Sequence, residues 1–218
     1  MVCIGVGVVG AGLSATTFHV PYLLANKRYA LRAFLRRAPG KPVDGHPSVP
    51  VLTDAAAFLA RSDVDLVIVT TPTHDHAASV RAALEADKHV LVEKPFAVTY
   101  AEARDLLALA AKRNLVLAVY QNRIFDDDFM TLQREMPRLG RVVSLESRFD
   151  RFRPAPKNGA WREDARLPGG GLLFDLGSHL IHQALVLFGR PARVHALVDN
   201  VRRIAGATDD WFQERLIA

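Results

Sequence analysis

Short apolar runs alternate with amphipathic stretches along residues 1–120. The runs are rich in β-branched residues and hydrophobic throughout, which predicts strands buried on both faces of a sheet. They are Val2–Val9, Tyr29–Leu35, Val64–Thr70, His89–Val92 and Leu115–Val119. Helical periodicity lies between them over Thr53–Arg61, Asp75–Ala86 and Tyr100–Arg113, the last opening with a capping box of Thr99 and Glu102. This strand–helix alternation predicts an α/β domain with a doubly wound parallel sheet over residues 1–120.

The pattern changes after Tyr120, where the regular alternation of strands and helices gives way to mixed elements and longer loops. In order, we predict a helix over Asp126–Leu139, a strand with one wet face over Val142–Phe152, a loop over 153–170, an apolar helix over Leu172–Phe188, and strands at 192–201 and 211–217. These elements predict a second, α+β domain over residues 121–218. We expect its open sheet to be cut short at Ala218.

Composition restricts what such a chain can be. Half of its 218 residues are hydrophobic and 23% are charged, which suits a folded core and excludes disorder as the main state. The single cysteine, Cys3, excludes a disulfide framework and indicates a reducing, cytoplasmic compartment. The net charge of +5 comes from scattered arginines, so we expect no nucleic-acid partner. Met1–Asn26 lacks a charged n-region and is broken by glycines, so we expect neither a signal peptide nor a membrane anchor.

Two glycine patterns compete after the first strand. Residues 5–10, GVGVVG, match the dinucleotide fingerprint literally, and residues 10–15, GAGLSA, match its alanine-ending variant. The first would begin the helix in a poor helix-forming sequence, so the second is favoured. In that register Gly10 makes the tight turn, Gly12 lets the backbone approach a pyrophosphate, and Ala15 keeps helix and strand close. The alternative is a glycine-rich turn such as any α/β protein can contain. The candidate phosphate-binding residues are Gly10, Ala11, Gly12, Leu13 and Ala15.

The end of the second predicted strand bears on the choice of nucleotide. An NAD site normally has Asp or Glu about 20 residues after the glycines to bind the ribose hydroxyls, but the first acidic residue of this chain is Asp44. Arg36 and Arg37 stand at the strand end instead, and a guanidinium fork can hold a 2′-phosphate. The sequence therefore favours NADP, with NAD as the other candidate. The alternative is that both arginines are simply solvated.

Several longer motifs follow one another in a characteristic order. Besides the glycine turn, they are Phe18-His19-Val20-Pro21, Thr71-Pro72-Thr73-His74, Glu93-Lys94-Pro95, Gln121-Asn122-Arg123, Phe149 to Pro154, Trp161-Arg162-Glu163 and Gly170 to His179. In this combination the chain resembles the Gfo/Idh/MocA oxidoreductases, and most of all their branch of NADP-dependent scyllo-inositol dehydrogenases. The resemblance implies a nicotinamide enzyme with an N-terminal Rossmann domain and a C-terminal domain that carries an open sheet.

The resemblance also implies roles for single residues. It implies that His179 is the catalytic base, that Lys94 assists proton transfer, and that Asp175 orients the reacting groups. An imidazole, with a reference pKa of about 6.5, suits proton exchange at neutral pH. Asp175 and His179 are four residues apart at the head of a predicted helix, so we expect them on one face. Further cofactor contacts implied by the resemblance are Thr71, Pro72, His74, Glu93, Lys94, Asn122, Trp161 and Arg162.

Each of these residues also has an ordinary structural interpretation. Lys94 could end a strand in solvent, and Asp175 could serve only the helix dipole. Trp161 with Arg162 also suits a buried indole beside an exposed guanidinium. His182 stands where this branch usually has aspartate. No histidine spacing matches a recognised metal-ligand set, so we expect no metal site and structural or surface roles for His19, His74, His76 and His182.

The residues favour an NADP-dependent oxidoreductase of a polyol or sugar, such as an inositol, with Lys94, Asp175 and His179 as the reactive set. Family members are considerably longer than this chain, which favours a second candidate, a non-catalytic dinucleotide-binding or truncated regulatory protein of the same fold. A third candidate is reduction of an imine or of a linear tetrapyrrole. A complete C-terminal sheet would make a homo-oligomer the expected assembly.

Overall fold

The structure is a computed structural model of the chain that describes residues 3–39, 43, 45–155 and 160–217. The chain divides into two compact units, Met1–Tyr120 and Gln121–Ala218. The first contains a six-stranded sheet and the second a two-stranded sheet.

The sheet of the first unit is parallel throughout. Its strands are β1 (Ile4–Val9), β2 (Tyr29–Leu35), β3 (Val51–Leu52), β4 (Leu66–Val69), β5 (His89–Glu93) and β6 (Leu117–Tyr120). The strand order β3-β2-β1-β4-β5-β6 is that of a doubly wound dinucleotide-binding domain, which confirms the predicted fold class. Five strands match the predicted runs to within two residues at each described end, and Val2 lies outside the described residues. The two-residue β3 was not predicted.

Helices lie in the connections from β1 to β2, β3 to β4, β4 to β5 and β5 to β6. The chain is helical from Leu13, and this helix includes a π-helical segment, Ala15–His19, before it continues as α1 (Val20–Ala25). The others are α2 (Ala55–Leu59), α3 (His76–Glu85), preceded by a 3₁₀ turn, Thr73–Asp75, and α4 (Tyr100–Lys112). The predicted capping box of α4 is confirmed, because the Glu102 N–H donates to Thr99 Oγ1 (3.2 Å) and the Thr99 N–H to Glu102 Oε2 (3.0 Å).

The core of the first unit lies on both faces of its sheet. Along β4, Val67 and Val69 belong to one apolar cluster with Phe58, while Ile68 belongs to another cluster with Phe34. All five side chains are at most 1% exposed. Burial on both faces explains why the central strands are hydrophobic at every position rather than at alternate positions. It also holds the ends of these strands, where the candidate residues lie, in fixed positions.

The second unit combines helices with a hairpin. Its helices are α5 (Asp127–Glu135), continued by a 3₁₀ turn, Met136–Leu139, and α6 (Ser178–Phe188), preceded by a π-helical segment, Leu173–Gly177. A further 3₁₀ turn spans Asn122–Phe125. The hairpin pairs β7 (Arg193–Asp199) with β8 (Trp211–Ile217) in antiparallel register. Across the described ranges, no helix has the length and apolarity needed to cross a bilayer.

The predicted strand over Val142–Phe152 is wrong, because none of these residues belongs to a β ladder in the described part of the chain. Alternating polarity sets the side to which each side chain points, but a strand also needs a hydrogen-bonded neighbour. Here β7 and β8 pair with each other in a two-stranded sheet and not with this segment. The predicted 153–170 loop contains a 3₁₀ turn, Trp161–Glu163, and residues 156–159 of it lie outside the described residues.

Candidate active site

The glycine turn follows β1 at the carboxyl edge of the parallel sheet. Gly10 has a φ of 93°, and a Cβ there would lie 2.7 Å from Thr70 Oγ1, so glycine is required for the turn itself. Its N–H donates to Leu35 O (2.9 Å). At Gly12, by contrast, no heavy atom of the described residues lies within 4 Å of the position that a Cβ would take, and the residue is exposed. Ala15 is fully buried against the sheet. The turn therefore leaves open space beside Gly12, at the start of a helix.

Arg36 and Arg37 follow β2 at the same edge, as the sequence predicted. The Arg36 N–H donates to Leu52 O (2.9 Å), which continues the pairing of β2 with β3. The guanidinium of Arg37 forms an ion pair with the carboxylate of Asp75, and the Arg37 side chain is 75% exposed. Exposed ion pairs contribute only about 0–1 kcal/mol to stability. The ion pair of Arg37 with Asp75 therefore contributes little to the stability of the fold.

Glu93, at the end of β5, is the centre of a hydrogen-bond network. The Ser14 hydroxyl donates to Glu93 Oε1, and His19 Nε2 lies 2.9 Å from the same oxygen. The Lys94 N–H donates to Glu93 Oε2 (3.2 Å). Burial raises the pKa of Glu93, but the hydrogen bonds from His19, Ser14 and Lys94 outweigh it and hold the pKa below its usual range. The carboxylate is therefore charged and directed to residues of its own unit.

His76 connects the ends of β4 and β5. Its Nε2 lies 2.9 Å from Thr71 O and its Nδ1 lies 2.9 Å from Pro95 O, and the residue is 1% exposed. A neutral imidazole carries one N–H and donates to one of these carbonyls at a time. Burial lowers the pKa of His76 despite the hydrogen bonds to both carbonyls. The His76 side chain thus has the expected structural role, because it holds together the loops that carry Thr71 and Lys94.

The second unit holds the other candidate residues. Arg162 Nε lies 3.3 Å from Asp175 Oδ1, and the guanidinium stacks 4.4 Å from the centre of the Trp161 ring. His179 is buried, with 5% exposure, in the first turn of α6. Asn122 opens the 3₁₀ turn that follows β6. Asp175 is therefore brought to the neighbouring residues Trp161 and Arg162, although its separation of 13 residues from Arg162 did not require this contact.

The expected geometry of Asp175 and His179 changes in one respect. Their four-residue spacing places them on one face if the helix is α-helical, but Asp175 lies in the π-helical segment Leu173–Gly177. The wider turn is visible in the hydrogen bond from the Ser178 N–H to Leu173 O, five residues earlier. Such segments occur often at functional sites, and hydrophobic periodicity does not reveal them.

Two residues of the loop between β7 and β8 contact the start of this helix and the Trp161–Glu163 turn, which the sequence did not indicate. The Leu173 N–H donates to Asp209 Oδ2 (2.8 Å), and Thr208 Oγ1 donates to Arg162 O (2.8 Å). A Cβ on Gly171 would lie 1.8 Å from Asp209 Oδ1, so glycine is required for this approach. Asp209 thereby caps the helix that carries Asp175 and His179 from a distant position in the chain.

The candidate metal ligands of the described ranges lie in separate contacts and not in one cluster. Among the described residues, no group of three or more His, Cys, Asp or Glu side chains is placed to hold a metal ion. His19 lies against Glu93, and His74 Nε2 lies 3.7 Å from Asp75 Oδ2. Burial lowers the pKa of His182.

The strand order and the open glycine turn at a helix start define the class of the first unit as an NAD(P)-binding Rossmann domain. Comparison with known families then gives the family. Residues 4–121 match the oxidoreductase family with an NAD-binding Rossmann fold, and residues 135–214 match the GFO/IDH/MocA C-terminal domain. The chain belongs to the Gfo/Idh/MocA oxidoreductase family, as the motifs predicted.

Individual relatives agree with this assignment. The chain is 42% identical over 214 residues to Uncharacterized oxidoreductase C115.03 of Schizosaccharomyces pombe, an alignment that covers 94% of this chain and 58% of that protein. It is 34% identical over 208 residues to scyllo-inositol 2-dehydrogenase (NADP(+)) IolW of Bacillus subtilis, again covering 94% and 58%. The crystal structure of an oxidoreductase from Bacillus cereus superposes with a TM-score of 0.83 at 31% identity, covering 98% of this chain and 61% of that one. The chain thus spans less than two thirds of these relatives.

Proposed function

We propose that the chain carries an NADP-dependent oxidoreductase site that transfers a hydride between the nicotinamide and a secondary alcohol or ketone of a polyol or sugar. The observation that carries the proposal is the hydrogen bond from Ser14 to Glu93, because it joins the glycine turn to the residue before Lys94. The similarity to a relative named scyllo-inositol 2-dehydrogenase (NADP(+)) supports NADP and an inositol as the first substrate to test.

The residues of the first unit fit a dinucleotide. The open space at Gly12 and the backbone amides at a helix start suit a diphosphate. The cofactor supplies the hydride acceptor when bound. We assign further contacts with it to residues at the strand ends of the first unit and to residues of the second, namely Thr71, Pro72, His74, Asn122, Trp161 and Arg162.

Three side chains carry the chemistry in this proposal. His179 takes the proton of the substrate hydroxyl, because a neutral imidazole is a suitable base at neutral pH. The Lys94 ammonium stabilises the developing alkoxide and assists the proton transfer. Asp175, held by Arg162, orients the imidazole and the substrate. Each role is carried over from the matching motif of the family.

Turnover by the purified chain tests the proposal. Reduced nicotinamide is measured by absorbance with NADP⁺ or NAD⁺ and a panel of inositols and aldoses. We expect turnover with at least one inositol, faster with NADP⁺ than with NAD⁺. Binding of NADPH with no turnover of any polyol or sugar would instead support the non-catalytic, dinucleotide-binding alternative.

Reversing the charge of Arg36 and Arg37 tests the choice of NADP. The double variant Arg36→Glu with Arg37→Glu loses the charged hydrogen bonds to the 2′-phosphate, so its Kd for NADPH rises about 10–100-fold. The Kd for NADH, which lacks this phosphate, changes less than about threefold. Fluorescence titration of both nucleotides measures the two constants. Arg28→Glu, at the amino end of β2, is the control for a general loss of positive charge. Equal losses for the two nucleotides, or none, would exclude the phosphate clamp.

A further inference from the structure

The hydrogen-bond network around Glu93 contains two residues, Ser14 and His19, that have no role in the proposed chemistry. We infer that Ser14 and His19 are positioning residues, which hold the Glu93 carboxylate and thereby fix Lys94 relative to the glycine turn. The catalytic role of Lys94 in this inference rests on the proposed function. The connection from Ser14 and His19 through Glu93 to Lys94 rests on the observed hydrogen bonds. It makes the helix after the glycine turn a support for the reactive lysine as well as a phosphate site.

The π-helical segment explains how both residues reach one oxygen atom. Ser14 and His19 are five residues apart, and on an α-helix they would point in directions about 140° apart. The Val20 N–H instead donates to Ala15 O, five residues earlier, so the turn is wider and residues five apart lie close to one face. Ser14 Oγ and His19 Nε2 accordingly both contact Glu93 Oε1. The π-helical segment therefore allows two side chains of one helix to contact the same carboxylate oxygen of Glu93.

The surroundings of His19 fix its orientation. The residue is 3% exposed, and its ring lies 4.3 Å from the Tyr120 ring at an angle of 46°. Tyr120 is the register partner of Glu93 on the neighbouring strand β6, and its hydroxyl donates to Phe18 O (2.9 Å). Packing on one side and the carboxylate on the other leave the imidazole little freedom to turn.

The charge on Glu93 depends on these donors. Burial favours the neutral carboxyl, so removal of the His19 hydrogen bond raises the pKa of Glu93. The carboxyl then becomes protonated at a higher pH, and any step that needs the carboxylate fails at a higher pH. The other groups that act on Glu93 are Ser14 on the same helix as His19, the Lys94 backbone directly after β5, Tyr120 on β6 and His76 on α3.

Replacement of His19 by a ring without a donor tests the inference. His19→Phe lowers kcat about 10–100-fold through misplacement of Lys94, with less than about a threefold change in KM for the polyol. The acidic limb of its kcat–pH profile shifts to higher pH. His19→Gln keeps a side-chain N–H donor and recovers most of kcat. Ser14→Ala removes the second donor with little change in volume, and we expect a smaller decrease in kcat. This variant tests the inference if His19→Phe does not fold.

Amide hydrogen exchange of the protein without cofactor separates this inference from the proposed function. Because the Lys94 N–H donates to Glu93, its exchange accelerates about tenfold in His19→Phe, whereas exchange at Val92, inside β5, does not change. A wild-type chain without turnover would refute the proposed function and leave this readout intact. Lys94 exchange that is unchanged, or that rises in step with Val92, would overturn the positioning role. Failure of His19→Gln to restore slow exchange would do so as well.

Discussion

Lys94→Ala lowers kcat for oxidation of the substrate alcohol by about 10²–10⁴-fold and leaves the Kd for NADPH within about threefold. The loss is large because the substitution removes both the positive charge beside the developing alkoxide and the group that assists proton transfer. The Kd is nearly constant because the diphosphate contacts assigned to the glycine turn are untouched. Steady-state kinetics and fluorescence titration on one preparation measure the two constants.

A second lysine variant controls for the loss of a positive charge. Lys112 is exposed in the last turn of α4, and Lys112→Ala keeps the wild-type kcat. Thermal unfolding of both variants shows whether the substitutions affect folding. A kcat for Lys94→Ala within tenfold of the wild type, with NADPH still bound, would remove Lys94 from the reaction.

Much of the first unit was predictable because its sequence signals are local and agree with one another. The run Tyr29–Leu35 coincides with β2, and Thr99 with Glu102 forms the capping box that its spacing indicated. The glycine register over residues 10–15, chosen from helix propensity, agrees with the observed helix start at Leu13. These features depend on residues within a few positions of each other, where pattern and propensity are strongest.

The features that escaped prediction depend on distant partners. Val142–Phe152 has a strand pattern but no ladder, because pairing depends on which other strands are adjacent. The contacts of Ser14 and His19 with Glu93 join residues that are 79 and 74 positions apart in the sequence. The one sequence feature that pointed to His19 was its place in the Phe18-His19-Val20-Pro21 motif, which is one of the motifs that carry the family resemblance. The cap from Asp209 to Leu173 had no sequence signal, because aspartate is common in loops.

Gly12→Val separates cofactor binding from folding at the glycine turn. Gly12 has no positive φ and no described neighbour within 4 Å of an added Cβ, so the variant folds with nearly the wild-type stability. Its side chain fills the space assigned to the diphosphate and weakens NADPH binding about 100-fold or more. Gly10→Ala is the matched contrast, because a φ of 93° and the contact with Thr70 cost about 1–3 kcal/mol of stability.

Titration of NADPH into Gly12→Val, with thermal unfolding of the same sample, tests the central claim most directly. The claim is that a dinucleotide's diphosphate lies on the turn formed by residues 10–15. We predict a wild-type melting temperature together with a Kd raised about 100-fold or more. A Kd within threefold of the wild-type value would contradict the claim, because a diphosphate on this turn cannot share its space with a valine side chain.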